Sequence, residues 1–130
     1  MNWLLVAMGG AIGASMRYGA GIWLLKPQMQ FPWPTWWINI IGCACAGLFF
    51  ALCQKYPVLQ NETRLFFMVG ILGGFTTFSS FGLETFQLLK QGHTTLAFTY
   101  AVSSVVVGVL ALILAYYLFK VVLKLNYFLQ

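Results

Sequence analysis

A chain of 130 residues that is 61% hydrophobic and 18% aromatic, with 7% charged residues and a mean hydropathy of +0.84, stands far from a soluble domain, in which roughly a quarter of residues carry charge. The net charge of +5 comes from seven Lys and Arg set against two acids. These basic residues are scattered singly, which excludes the clustered basic face of a nucleic-acid binder.

The composition is that of an all-α membrane protein, a single membrane domain over residues 1–130. Four hydrophobic segments, each near the roughly 20 residues needed to cross a bilayer, are expected at 3–25, 33–53, 65–89 and 95–119. Turn signals separate them: Lys26-Pro27 to Pro34, Gln54-Lys55-Tyr56-Pro57 to Arg64, and the short Lys90-Gln91-Gly92-His93. The N-terminus lacks the basic region of a signal peptide, so the first apolar stretch is expected in the mature protein. With an even number of spans, Lys55, Arg64, Lys120 and Lys124 fall on the side of the termini and Lys26 and Lys90 on the other. That small imbalance permits insertion in either orientation. Trp33, Trp36, Trp37, Tyr116, Tyr117 and Tyr127 lie near span ends and read as headgroup-level anchors.

In the first segment Gly9, Gly13, Arg17 and Gly21 recur every four residues, which puts small residues and one arginine on one helix face and invites close packing. Arg17 is read either as an anchor near the membrane edge or as a residue with a role in conduction. In the second segment Asn39 is the one amide. An unpaired amide in hydrocarbon costs several kcal/mol, so Asn39 must face a partner helix or a polar path. Cys43, Cys45 and Cys53 share this segment without metal spacing and read as small buried residues.

The third segment carries the most informative run, residues 70–81, in which Gly70, Gly73 and Gly74 precede Phe75, Thr76, Thr77, Phe78, Ser79, Ser80 and Phe81. Glycine, β-branched threonines and serines in succession oppose an undisturbed helix, so a break is expected near the middle of this span. Broken helices at membrane depth are tolerated where they are buried in protein or line a polar cavity, which points to an ion or substrate site. Glu84 follows towards the end of the span, within conceivable reach of Arg17. In the fourth segment Tyr100, Ser104 and Gly108 share a face, two hydroxyls a turn apart. Serine back-bonding to its own helix is the silent alternative there.

Pooled, these polar groups are one amide, several hydroxyls, a phenol and phenylalanine rings with hardly a buried carboxylate. Such donors and the electropositive ring edges suit an anion better than a cation. No nucleophile and base stand at a recognisable spacing, and His93 sits in a loop, so no enzyme is expected.

Four motifs in order cover essentially the whole chain: Gly9-Gly10-x-x-Gly13-x-x-x-Arg17-Tyr18, Asn39-x-x-Gly42, Gly73-Gly74-Phe75-Thr76-Thr77-Phe78-Ser79-Ser80-Phe81 with Glu84, and Tyr100-x-x-x-Ser104-x-x-x-Gly108. Together they resemble the CrcB/Fluc family of fluoride channels. The resemblance implies a passive fluoride-selective channel of the bacterial inner membrane that lets fluoride leave the cytoplasm. It also implies an antiparallel, dual-topology homodimer in the lipid bilayer with two pores. By resemblance Asn39, Phe78, Ser79, Ser80, Phe81, Tyr100 and Ser104 line the fluoride path, although position 80 is usually Thr. A structural sodium ion is implied at the dimer centre, held by the backbone carbonyls of Gly73 and Thr76 from both subunits, with Arg17 and Glu84 structural or at the pore mouth. The alternatives are a small dual-topology multidrug exporter, whose embedded first-span Glu is missing from residues 1–25, and a non-transporting membrane scaffold, which leaves Asn39 and the Thr/Ser run without a purpose.

Overall fold

A computed structural model describes residues 1–26 and 29–128, with the side chains of 126–128 excepted. Pro27 of the expected first loop and the Tyr127 ring lie outside the described residues. Among the described residues the secondary structure is entirely helical: α1 (Asn2–Leu24), α2 (Trp33–Lys55), a short 3-10 turn (Pro57–Gln60), α3 (Glu62–Arg64), a π-helical stretch (Leu65–Leu72), α4 (Gly73–Phe75), α5 (Phe78–Lys90) and α6 (Thr94–Phe128). Proline stands in the first turn of α2, where its missing N–H leaves no hydrogen bond unmade. Gly92, at φ +81°, makes the tight turn from α5 to α6 that a side chain would strain.

Three stretches are long and apolar enough to cross a membrane: Trp33–Lys55, Glu62–Lys90 and Thr94–Leu125. α1 has 23 residues, about 34 Å at the usual helical rise, but its glycines and Arg17 dilute its apolar character below that of the other three. The molecule is a multi-pass membrane protein. α6 runs to Phe128, nine residues past residue 119, where the fourth apolar segment was expected to end.

Two pairs of helices make the bundle. α1 lies along the π-helical stretch and α4, while α2 lies along α6, which also receives α5. Glycines set the first contact. A Cβ on Gly13 would strike the Ile71 carbonyl and come within 2.8 Å of the Phe75 nitrogen, and one on Gly74 would come within 3.0 Å of the Ala14 nitrogen. The backbones therefore meet with almost nothing between them, which is how helices associate where lipid removes the hydrophobic drive. Gly9 faces Gly70 in the same way, whereas Gly21, on the same expected stripe, has open space before it. The glycine stripe thus packs along its first half only: α1 lies along the π-helical stretch and α4, up to the break in the third span.

The anchoring aromatics sit at opposite ends of the α2–α6 pair. Trp33, Trp36 and Trp37 stack edge to face at one end, with centroids 5.7 and 4.9 Å apart, and Trp36 Nε1 donates to Ser103 Oγ at 3.1 Å. Tyr116 and Tyr117, 5.0 Å apart, mark the other end.

Candidate functional site

The third span breaks where the sequence predicts. α4 ends at Phe75, Thr76 and Thr77 are extended with ψ 158° and 116°, and α5 begins at Phe78. Thr77 is the cap of α5. Its hydroxyl accepts from Ser80 N at 3.2 Å, donates to Ser80 Oγ at 3.1 Å and lies 3.3 Å from Ser79 Oγ. From α2, Asn39 Oδ1 accepts from the Thr77 N–H at 2.8 Å and Asn39 Nδ2 donates to the Thr77 carbonyl at 3.1 Å. This is the helix-to-helix glue an embedded amide can supply. It leaves one Asn39 N–H for another partner.

These hydrogen bonds release two carbonyls. In a continuous helix Gly73 O would accept from Thr77 N and Thr76 O from Ser80 N, but Asn39 takes the first donor and the Thr77 hydroxyl the second. The Thr76 carbonyl instead has Arg17 Nη1 at 3.4 Å, a long contact. Gly73 is exposed, and a Cβ there would meet nothing closer than 3.9 Å.

Asn39, Cys43, Thr76, Thr77, Phe78, Phe81, Ser104 and Val105 line a groove of about 260 Å³. Phe78 and Phe81 stand 5.5 Å apart along it, and Phe81 is 5.3 Å from the ring of Tyr100, so three rings form a continuous row. Phe78 is 84% exposed, which leaves one side of the groove open in the single chain. Tyr100 is wholly enclosed at 0% exposure, its ring edge-on to Phe31 at 5.3 Å.

A second recess of about 620 Å³ lies across Thr77 and is lined by Arg17, Lys26, Thr35, Ser80 and Glu84 among others. Glu84 Oε1 accepts from Thr35 Oγ1 and Oε2 from Tyr100 Oη, both at 2.7 Å. Glu84 and Arg17 share this recess, but each is engaged elsewhere. No buried side-chain nitrogen or oxygen lacks a partner among the described residues.

The structure thus brings Asn39, Phe78, Phe81 and Ser104 to one groove and sets Ser80 with Arg17 and Glu84 in the other recess, while Tyr100 joins the two through its ring and hydroxyl. Ser79 lies beside Thr77, and Ser104 Oγ donates to the Tyr100 carbonyl at 2.6 Å, the back-bond its position allows. Thr77 and Thr35 are the residues that sequence reasoning left without a role. Their signals were a threonine directly before a helix start, and a threonine one turn from Asn39 on the same face.

The profile of a family described as CrcB-like protein, Camphor Resistance (CrcB), matches residues 4–116. Among similar proteins is one from Methylobacillus flagellatus, 41% identical over 123 residues that span 93% of this chain and 96% of its own. One from Chloroflexus aurantiacus is 44% identical over 114 residues, 87% of this chain and 90% of that one. One from Thermus thermophilus is 44% identical over 116 residues, 88% and 91%. Each bears the name fluoride-specific ion channel FluC, the name of a channel and not of an enzyme. Matched along nearly its whole length, and with the glycine contacts and broken third span at its centre, the chain belongs to the CrcB family.

Proposed function

We propose that the chain is a fluoride-selective channel that lets fluoride leave the bacterial cytoplasm passively across the inner membrane, with α1 as the fourth span. The reading is carried by the groove in which ring edges and an amide N–H meet: Phe78 and Phe81 stand beside the Asn39 amide. A small, strongly hydrated anion needs close donors to replace its water. Ring edges add weak positive potential without offering a carboxylate that would repel it. The spare Asn39 N–H and the Ser79 and Ser80 hydroxyls are the donors along the proposed path, and Tyr100 lines it with its ring while its hydroxyl is given to Glu84.

The proposed unit is an antiparallel homodimer with two pores. The open side of the groove at Phe78 and the open space before Gly73 are what a second subunit would cover. The proposed structural sodium ion fits the chemistry of the freed Gly73 and Thr76 carbonyls, which are hard oxygen donors. One chain supplies two of them, and a twofold axis doubles the set to four. Its charge would tie the two broken spans together, with Arg17 as a competitor at the Thr76 carbonyl.

The test is ion efflux from liposomes that contain the purified protein. Fluoride is expected to leave far faster than chloride and without a proton gradient. Equal rates for the two ions, or strict dependence on such a gradient, sink the reading.

A further inference from the structure

α6 outlasts the helix it packs on. Tyr116 Oη donates to Gln54 Oε1 at 2.6 Å near the end of α2. Gly47 of α2 packs on the backbone of Leu112, so Lys55, the last residue of α2, stands level with about residue 120, and residues 121–128 run on past α2 by about 12 Å at a rise of about 1.5 Å per residue. From Tyr117 to Leu125 the outer surface of α6 is largely apolar: Tyr117, Leu118, Val121, Val122 and Leu125 are between 49% and 66% exposed. Such a surface needs acyl chains or protein over it.

Lysines mark the remaining face. Lys120 and Lys124 are four residues apart and therefore neighbours on the helix, and both are exposed. Lys55 joins them from the end of α2, its Nζ 3.4 Å from the carbonyl of Leu123. Lys120 Nζ donates to Tyr116 Oη at 3.2 Å and stands 5.3 Å from the centre of that ring, so the Tyr116–Gln54 bond fastens it to the same corner. An ammonium has three donors, and Lys55 and Lys120 each spend one here. Of the two acids in the chain, Glu84 is held by Thr35 and Tyr100 towards the opposite end of α2, and Glu62 stands in α3 beside Arg64, on the lysines' side of the bundle, so the corner keeps a net positive charge. Like charges gathered at one corner repel, and an acceptor-only anion relieves that repulsion.

We propose that this corner is a headgroup site for an anionic phospholipid: Lys55, Lys120 and Lys124 hold the phosphate, and the apolar face of residues 117–125 lies against the acyl chains. A lipid supplies both halves at the same depth, whereas free phosphate would leave the apolar face bare. A second copy of a chain with seven basic and two acidic residues would bring more positive charge to the corner. Lys120 and Lys124 lie beyond the span matched by the family profile, and the site stands independently of what the channel conducts.

The test is native mass spectrometry of the full-length protein in detergent with added phosphatidylglycerol or phosphatidylcholine. Phosphatidylglycerol is expected to be retained at least about tenfold better. A Lys120→Gln, Lys124→Gln variant is expected to lose that preference by roughly fivefold for each lysine, the factor that corresponds to ~1 kcal/mol per basic residue at an anionic surface. Lys90→Gln, at the opposite membrane face, should keep it. Equal retention of the two lipids, an unchanged preference in the double variant, or displacement of the lipid by equimolar inorganic phosphate overturns the proposal. A changed oligomeric mass in the double variant, in place of lost lipid, assigns the face to a second copy and overturns it as well.

Discussion

Asn39 holds both ends of one peptide unit's neighbourhood at Thr77, accepting from its N–H at 2.8 Å and donating to its carbonyl at 3.1 Å. This pairing orients the amide, since only the oxygen can face the N–H. It also explains how a break survives at membrane depth: the Thr77 N–H that leaves the helical ladder is met from α2 rather than left bare. Asn39→Ala is expected to leave the Thr77 N–H unpaired and to destabilise the protein by about 1–3 kcal/mol, the cost of one buried orphan. Thermal unfolding in detergent is the measurement, and an unchanged midpoint would remove the clamp from the account.

The contact of Gly13 with Ile71 and Phe75 leaves no room for a side chain on either backbone. Gly13→Val should therefore prevent α1 from seating on the third span, with little folded protein recovered on gel filtration. Gly21→Ala faces open space and should behave as the native chain does.

Tyr100→Phe keeps the ring between Phe31 and Phe81 but withdraws the hydroxyl from Glu84. A hydrogen bond to a carboxylate is worth about 1.5–3 kcal/mol of stability, so the unfolding midpoint is expected to fall, and fluoride efflux with it as Glu84 loses its tether, while the fold persists. Efflux and unfolding measured on the same preparation check both effects; an unchanged efflux beside a lowered midpoint would make the hydroxyl structural alone.

Phe81 stands in the middle of the ring row, between Phe78 and Tyr100. Phe81→Ile preserves apolar bulk but has no electropositive edge, and it is expected to cut fluoride flux without changing the oligomeric mass. Unchanged flux would take Phe81 out of the path.

Thr77→Val removes the cap of α5 and its links to Ser79 and Ser80, at a cost of about 1 kcal/mol. The shift should appear in amide exchange as faster opening of residues 78–81 than of α2.

The sequence by itself determined the helical class, the membrane setting and the position of the break. These follow from sums over neighbouring residues: apolar runs of bilayer length, and Gly, Thr and Ser gathered at 73–80 against helix formation. The π-helical stretch at Leu65–Leu72 had no such signal, and neither did the length of α6, because no Gly or Pro marks where it should stop. Partnerships belonged to the tertiary structure. Arg17 and Glu84 are an arginine and an acid within reach on a sequence diagram, yet one turns to the Thr76 carbonyl and the other to Thr35 and Tyr100. Asn39 was legible as a residue that must be satisfied, and only the crossing of α2 over the broken span decided that Thr77, 38 residues away, would satisfy it. Local chemistry states what each group requires; which group answers depends on where helices distant in sequence cross.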